Sequence, residues 1–180
     1  EVILGFEREG IKVIMMTGDT RRVAEYIAKQ AKIGNVSSGV TSDRKASEVK
    51  YMQEMMNQKV AMVGDGINDA PALVQADVGI AMSNGSDIAI ESAQITILKD
   101  DIRKVYKSWK LSKITLKIIK QNLFWAFIYN LVGIPIAAGL LYPIWGIQLN
   151  PVFAGMAMSL SSVSVVSNSL RLKWKKLNLR

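Results

Sequence analysis

Val63-Gly64-Asp65-Gly66-Ile67-Asn68-Asp69-Ala70-Pro71 is the stretch on which the first half of the chain turns. The apolar run 60–63 in front of it has strand character, and a short helix is expected from Asn68. The motif therefore sits at the carboxyl end of a strand, where open α/β sheets bind their ligands. Asp65 and Asp69 are four residues apart on a glycine-rich strand-to-helix turn. Such a pair suits a hard, oxygen-liganded cation such as Mg²⁺. Gly64 and Gly66 allow close approach of backbone and ion. Asn68 can donate to a phosphoryl oxygen.

Working outward, Thr17-Gly18-Asp19 follows a second strand candidate at 11–16 and falls at the same edge of the expected sheet. The Thr17 hydroxyl and the amides of Gly18 and Asp19 can hold phosphate. Lys45 lies in the opening turn of a helix expected over 43–56, with Ser42 as its N-cap, and can offset the charge of a further phosphoryl oxygen. Taken alone, Thr17-Gly18-Asp19 is a plain turn and Lys45 a solvated lysine. The nine-residue run gives them their meaning. The remaining pattern places helices at 1–9, 20–32 and 86–92 and strands at 78–82 and 95–98. Strands alternating with helices imply an α/β fold with a mostly parallel sheet.

Charge divides the chain. Residues 1–101 hold fifteen Asp and Glu against eleven Lys and Arg, a net −4, whereas 102–180 hold twelve Lys and Arg and no acid, a net +12. Hydrophobic residues make up 49% of the chain, yet the mean hydropathy is only +0.18, because the polar and apolar parts are segregated. A basic balance suggests nucleic acid by default. Here the positive charges flank long apolar runs instead of forming a polar stripe, and no nucleic-acid partner is expected. The chain has no cysteine and no histidine, which excludes disulfides and thiolate or imidazole metal sites.

Lys104, Lys107, Lys110, Lys113, Lys117 and Lys120 recur at three- and four-residue steps, one face of a basic linker helix over 101–120. Residues 121–141 and 151–170 carry no charge. Each stretch is close to the ~20 residues a helix needs to cross a bilayer. The expectation is a two-helix transmembrane hairpin with an extracytoplasmic loop at 142–150 and a basic cytoplasmic tail at 171–180. Both ends then face the cytoplasm, by the distribution of Lys and Arg, and membrane lipid is a partner. Tyr142 and Trp145 suit an interface, and Pro135 predicts a kink. Within the spans, Tyr129 and Asn130 are polar, and Met158 and Ser162 share a helix face. Most of the serines of 159–167 are expected to serve close helix packing.

Together these residues resemble the phosphorylation domain of P-type ATPases, a branch of the haloacid dehalogenase superfamily with a Rossmann-like α/β fold, across essentially the whole chain. The run 62–73 resembles the family's hinge motif, and 80–91 resembles the segment that follows it. The resemblance implies that Asp65 binds Mg²⁺ with Asp69 in support. Thr17, Gly18, Asp19, Gly66 and Asn68 would hold the phosphoryl group, and Lys45 would neutralise it. Ser42, Thr20 and Ser83 depart from the proline, asparagine and glycine usual there. Gln121-Asn122-Leu123-Phe124, Phe127-Ile128-Tyr129-Asn130 and Met158-Ser159-Leu160-Ser161-Ser162 resemble the last two helices of the copper-transporting branch. That resemblance implies that Tyr129, Asn130, Met158 and Ser162 form part of an intramembrane metal path. A thioether favours Cu⁺ over Zn²⁺.

The resemblance implies one part of an ATP-driven Cu⁺ exporter of the cell (plasma or inner) membrane, covering the end of the phosphorylation domain (1–100) and two spans. The family's phosphate-accepting Asp-Lys-Thr-Gly-Thr motif is not in the 180 residues. The chain by itself is therefore expected to be inactive and to need the N-terminal part of the pump. Two rivals share some of these features. A membrane-anchored haloacid dehalogenase phosphatase accounts for Asp65 and Asp69 but not for the Tyr-Asn and Met-Ser constellation. The other is a non-catalytic subunit docking on a complete pump.

Overall fold

The computed structural model describes residues 1–82, 86–99, 101–139, 142–146 and 151–174. The chain divides into two compact units, Glu1–Ser108 and Trp109–Asn178. In order, the first unit contains α1 (Val2–Arg8), β1 (Ile14–Met16), α2 (Arg21–Ala31), β2 (Asn35–Ser37), α3 (Ser42–Glu54) and β3 (Ala61–Gly64). A 3₁₀ turn at Ile67–Asp69 then leads into α4 (Ala70–Gln75), β4 (Val78–Met82), α5 (Asp87–Glu91) and β5 (Ile95–Ile97). All strand pairs are parallel, as the alternating pattern predicts. They form two ladders where one was expected: β1–β2 and β3–β4–β5.

A shared core joins the ladders. Val49 of α3 and Ala72 and Ala76 at α4 are buried, and Met16 of β1 and Met62 of β3 pack against this one cluster. The layer under α3 and α4 thus holds the ends of β1 and β3, from which the candidate site springs. A second cluster of Ile80, Met82, Ile97 and Val105 takes in Phe6 and Val63. The ring of Phe6 meets that of Tyr106 edge-on at 4.9 Å. A polar clasp ties α3 to the turn before β4. Asp77 accepts from Gln53 Nε2 at 2.9 Å, Lys59 Nζ at 2.7 Å and the Val60 amide at 3.0 Å.

Local chemistry sets the boundaries. Extended Thr41 caps α3, so the helix begins at Ser42 and the N-cap lies one residue before the expected Ser42. The Ser86 hydroxyl accepts from the Ala89 amide at 3.2 Å and starts α5. Lys32 closes α2 in the left-handed region, at φ 60°.

No helix end marks the expected boundary at 120. One helix, α6, runs Arg103–Ala137 and carries Pro135 in its last turns. The loop expected at 142–150 contains a short helix, α7 (Tyr142–Trp145), and 147–150 lie outside the described residues. α8 covers Pro151–Leu170, and a 3₁₀ turn follows at Arg171–Trp174. Among the described residues no helix is long and apolar enough to cross a membrane. The transmembrane hairpin is corrected to that extent. The uncharged part of α6 opens with Gln121 and Asn122, contains Tyr129 and Asn130, and stops at Ala137, short of Leu140 and Leu141, which lie outside the described residues. α8 carries six serines and Asn168.

Candidate functional site

Lys45 and Asp69 meet beyond the carboxyl end of β3. Lys45 Nζ donates to Asp69 Oδ1 at 2.7 Å, and the two side chains are only 14% and 12% exposed. Asp69 sits where the 3₁₀ turn passes into α4, and its Oδ2 also accepts from the Gly66 amide at 3.4 Å. Both carboxylate oxygens are therefore committed within the protein. Gly64 is needed behind it, because a Cβ there would lie 2.6 Å from the Asp69 Cβ.

Asp65 and Asn68 remain exposed at the mouth of β3. The Asp65 carbonyl accepts from the Ser86 amide at 3.0 Å, so Ser86, the N-cap of α5, braces the motif. Among the described residues no three acidic side chains cluster into a closed metal cage. The donor set fits Mg²⁺, which keeps several waters and takes one or two carboxylates alongside phosphate oxygens. Asp65 is the carboxylate free for that role, and Asp69 holds Lys45 in place from behind.

Thr17 belongs to a tight turn after β1. Its hydroxyl donates to Asp19 Oδ2 at 2.8 Å and accepts from the Asp19 amide at 3.2 Å. The Thr17 carbonyl accepts from the Val40 amide at 3.0 Å, and the Asp19 carbonyl from the Gly39 amide at 2.9 Å. Val40 leads directly into α3, so a continuous path runs from Thr17 and Gly18 through the 39–41 loop to Lys45, Asp69 and Gly66. Sequence reading missed two members of this frame, the 39–40 loop and Ser86. Gly39, at φ 67°, was the available signal for the loop.

The second unit treats the four path candidates differently. Tyr129 lines a cavity of about 230 Å³ with Asn122, Trp125, Ser164, Val165 and Asn168. Asn130 instead donates to the Ala126 carbonyl of its own helix at 3.1 Å. Ser162 lies on α8 but not in that lining. The Met158 side chain lies outside the described residues. Ser159 and Ser164 donate to the carbonyls of Gly155 and Leu160 at 3.0 and 2.8 Å, which satisfies them within α8. Among the described residues, an amide cluster that the sequence reading did not single out links the helices. Asn168 Nδ2 donates to Asn122 Oδ1 at 2.8 Å, and Asn122 Nδ2 donates to Ser169 Oγ at 2.9 Å.

Comparison with known proteins now bears on this geometry. A family described as haloacid dehalogenase-like hydrolase matches residues 1–77. The chain is 56% identical to a copper-exporting P-type ATPase of Vibrio cholerae over 94% of its own length and 18% of that protein. Nearly all of the chain is thus similar to the corresponding part of P-type ATPases. It is also 50% identical to a silver-exporting P-type ATPase of Salmonella typhimurium, over 96% of the chain and 21% of that protein. Among solved structures, a zinc-transporting PIB-type ATPase in its E2·Pi state matches with a TM-score of 0.80 and 30% identity, over 95% of this chain and 27% of that one. The chain thus spans about a fifth of the length of these P-type ATPase relatives. The haloacid dehalogenase-like α/β fold expected from the sequence is the one these comparisons support.

Proposed function

We propose that this chain supplies the Mg²⁺ and phosphoryl half-site, and part of the metal path, of an ATP-driven copper(I) exporter. The observation that carries the proposal is the withdrawn Lys45–Asp69 pair at the mouth of β3. It presents a fixed ammonium next to exposed Asp65 and Asn68, an arrangement suited to an anionic phosphoryl group. In the pump, an aspartate supplied by the rest of the protein would take the phosphoryl group of ATP at this point. Mg²⁺, when bound, neutralises charge on the phosphoryl oxygens. The chain's own residues do the remaining work. Lys45 offsets oxygen charge, Asn68 and the Gly18 amide donate hydrogen bonds, and the Thr17 hydroxyl and the Asp19 and Gly66 amides would turn to the phosphoryl oxygens from Asp19 Oδ2, Thr17 Oγ1 and Asp69 Oδ2. Without that aspartate the chain alone forms no phosphoenzyme.

The exporter would lie in the cell membrane, with α6 and α8 as a helix pair, both ends of the chain cytoplasmic and the 142–150 loop outside. The support is the charge pattern: no charged residue between Gln121 and Leu170, and lysines and arginines beyond both ends. Copper is favoured over zinc by the thioether of Met158 and by the absence of any Lys or Asp from 121–170, together with the copper and silver exporters among its relatives. Tyr129, Asn130, Met158 and Ser162 are the proposed path residues.

A graft tests this. The chain replaces the matching segment of the Vibrio cholerae pump, and copper tolerance and acid-stable phosphoenzyme are measured. The graft is expected to restore both, and Asp65→Asn to abolish the phosphoenzyme. Met158→Leu, a volume-conserving change, should lower copper-stimulated turnover while leaving phosphorylation from inorganic phosphate intact. A graft that forms phosphoenzyme but never confers copper tolerance would sink the copper assignment.

A further inference from the structure

One face of α6 forms an open groove of about 540 Å³, lined by Lys113, Leu116, Lys117, Lys120, Phe124 and Trp125 among others. The spacing is helical, so cations occupy one end of the groove and aromatic rings the other. The Lys113 ammonium lies over the Trp109 ring, 4.8 Å from its centroid. Lys117 and Lys120 are exposed and form no ion pair among the described residues. Nothing in their unit can neutralise them, because 102–180 contain no Asp or Glu. Leu116, Phe124 and Trp125 are 55%, 57% and 51% exposed. From Lys117 to Phe124 the groove descends roughly 10 Å along the helix axis.

We propose that this groove binds an anionic phospholipid, with Lys117 and Lys120 on the headgroup phosphate and Phe124 and Trp125 against the glycerol and upper acyl chains. The proposal rests on the membrane reading given above. Its chemistry is a ligand that is anionic at one end and apolar at the other. A free phosphate ion has no use for two exposed rings, and a nucleic acid backbone would need the cationic surface to continue where the groove turns apolar. Lysines just cytoplasmic of a span are attracted to acidic headgroups, and aromatic rings settle at headgroup level.

The test uses the full chain purified in a neutral detergent. Flotation with phosphatidylcholine vesicles reports membrane association as such. Native mass spectrometry after exposure to equal phosphatidylglycerol and phosphatidylcholine reports the groove. Preferential retention of phosphatidylglycerol is expected. Lys117→Gln and Lys120→Gln should each reduce that preference by about fivefold, and the double variant should still float. Both are exposed helix positions where glutamine is well tolerated. A chain that floats but retains the two lipids equally overturns the proposal and leaves the membrane reading standing. So does a double variant with undiminished preference. Full displacement of the lipid by inorganic phosphate, or equal competition by single-stranded DNA, also overturns it, as a general anion site. A chain that floats with no vesicle removes the membrane reading and the proposal together.

Discussion

Lys45 Nζ lies 2.7 Å from Asp69 Oδ1 across 24 residues of sequence, and this contact fixes the first turn of α3 to the start of α4. Both side chains are largely withdrawn from water, so loss of either partner strands a charge. Lys45→Met is expected to destabilise the chain by about 3–5 kcal/mol, the usual cost of breaking a buried pair. Lys45→Met combined with Asp69→Leu should recover much of that loss, since neither charge is then buried. Urea unfolding followed by circular dichroism measures both. A single variant as stable as the parent would show that water reaches the pair.

Gly64 makes a second expectation specific. A Cβ there would stand 2.6 Å from the Asp69 Cβ, which the backbone holds in place. Gly64→Ala should push Asp69 off Lys45 and cost about 1–3 kcal/mol, as overpacking does. At Gly66 the nearest atoms to an added Cβ are 3.8 Å away, and the backbone lies at φ −103°, so Gly66→Ala should fold as well as the parent. Thermal melts of the two variants side by side distinguish a packing effect from a general dislike of alanine in this loop.

Much of this site was legible because its parts are local. The turn after β3 announces itself through two glycines and two carboxylates, and β4 was expected at its observed bounds, Val78–Met82. β2 was not foreseen. Asn35-Val36-Ser37 has one apolar residue and becomes a strand only by pairing with Ile14, Met15 and Met16. Nor could spacing reveal that Lys45 ends on Asp69, or that Asn122 meets Asn168, since both contacts span distant parts of the chain. The uncharged stretches were read from composition as spans. The helices respond to backbone limits as well, and α6 ends two residues after Pro135.

Asp77 gives the fold a pH dependence. Hydrogen bonds from Gln53, Lys59 and the Val60 amide hold its carboxyl well below the usual carboxylate range. With the folded value depressed, the clasp contributes in full above the ordinary Asp value of about 3.9. Its contribution fades as pH falls below that towards the folded value. Stability should therefore drop on acidification below about pH 4, and Asp77→Asn should remove that part of the slope. Urea midpoints collected across the acid range check this. An unchanged slope in the variant would assign the acid sensitivity to other carboxylates.

The Asn122–Asn168 contact yields the last expectation. Asn168 Nδ2 donates to Asn122 Oδ1 at 2.8 Å, while its own Oδ1 accepts from Arg171 Nη1 at 3.1 Å. Asn122 passes the link on to Ser169. These amides join α6 to α8, whereas Ser164 spends its hydroxyl on the Leu160 carbonyl within α8. On the membrane reading proposed above, a double-mutant cycle with Asn122→Ala and Asn168→Ala should give a coupling of about 0.6–1.7 kcal/mol, the range for polar contacts between membrane helices. The same cycle with Asn122→Ala and Ser164→Ala should give almost none, because among the described residues Ser164 makes no hydrogen bond to α6. Unfolding in mixed micelles titrated with dodecyl sulfate supplies the four stabilities for each cycle. Equal coupling in both cycles would mean that the helices are held by packing around the Tyr129 cavity and not by the amide pair.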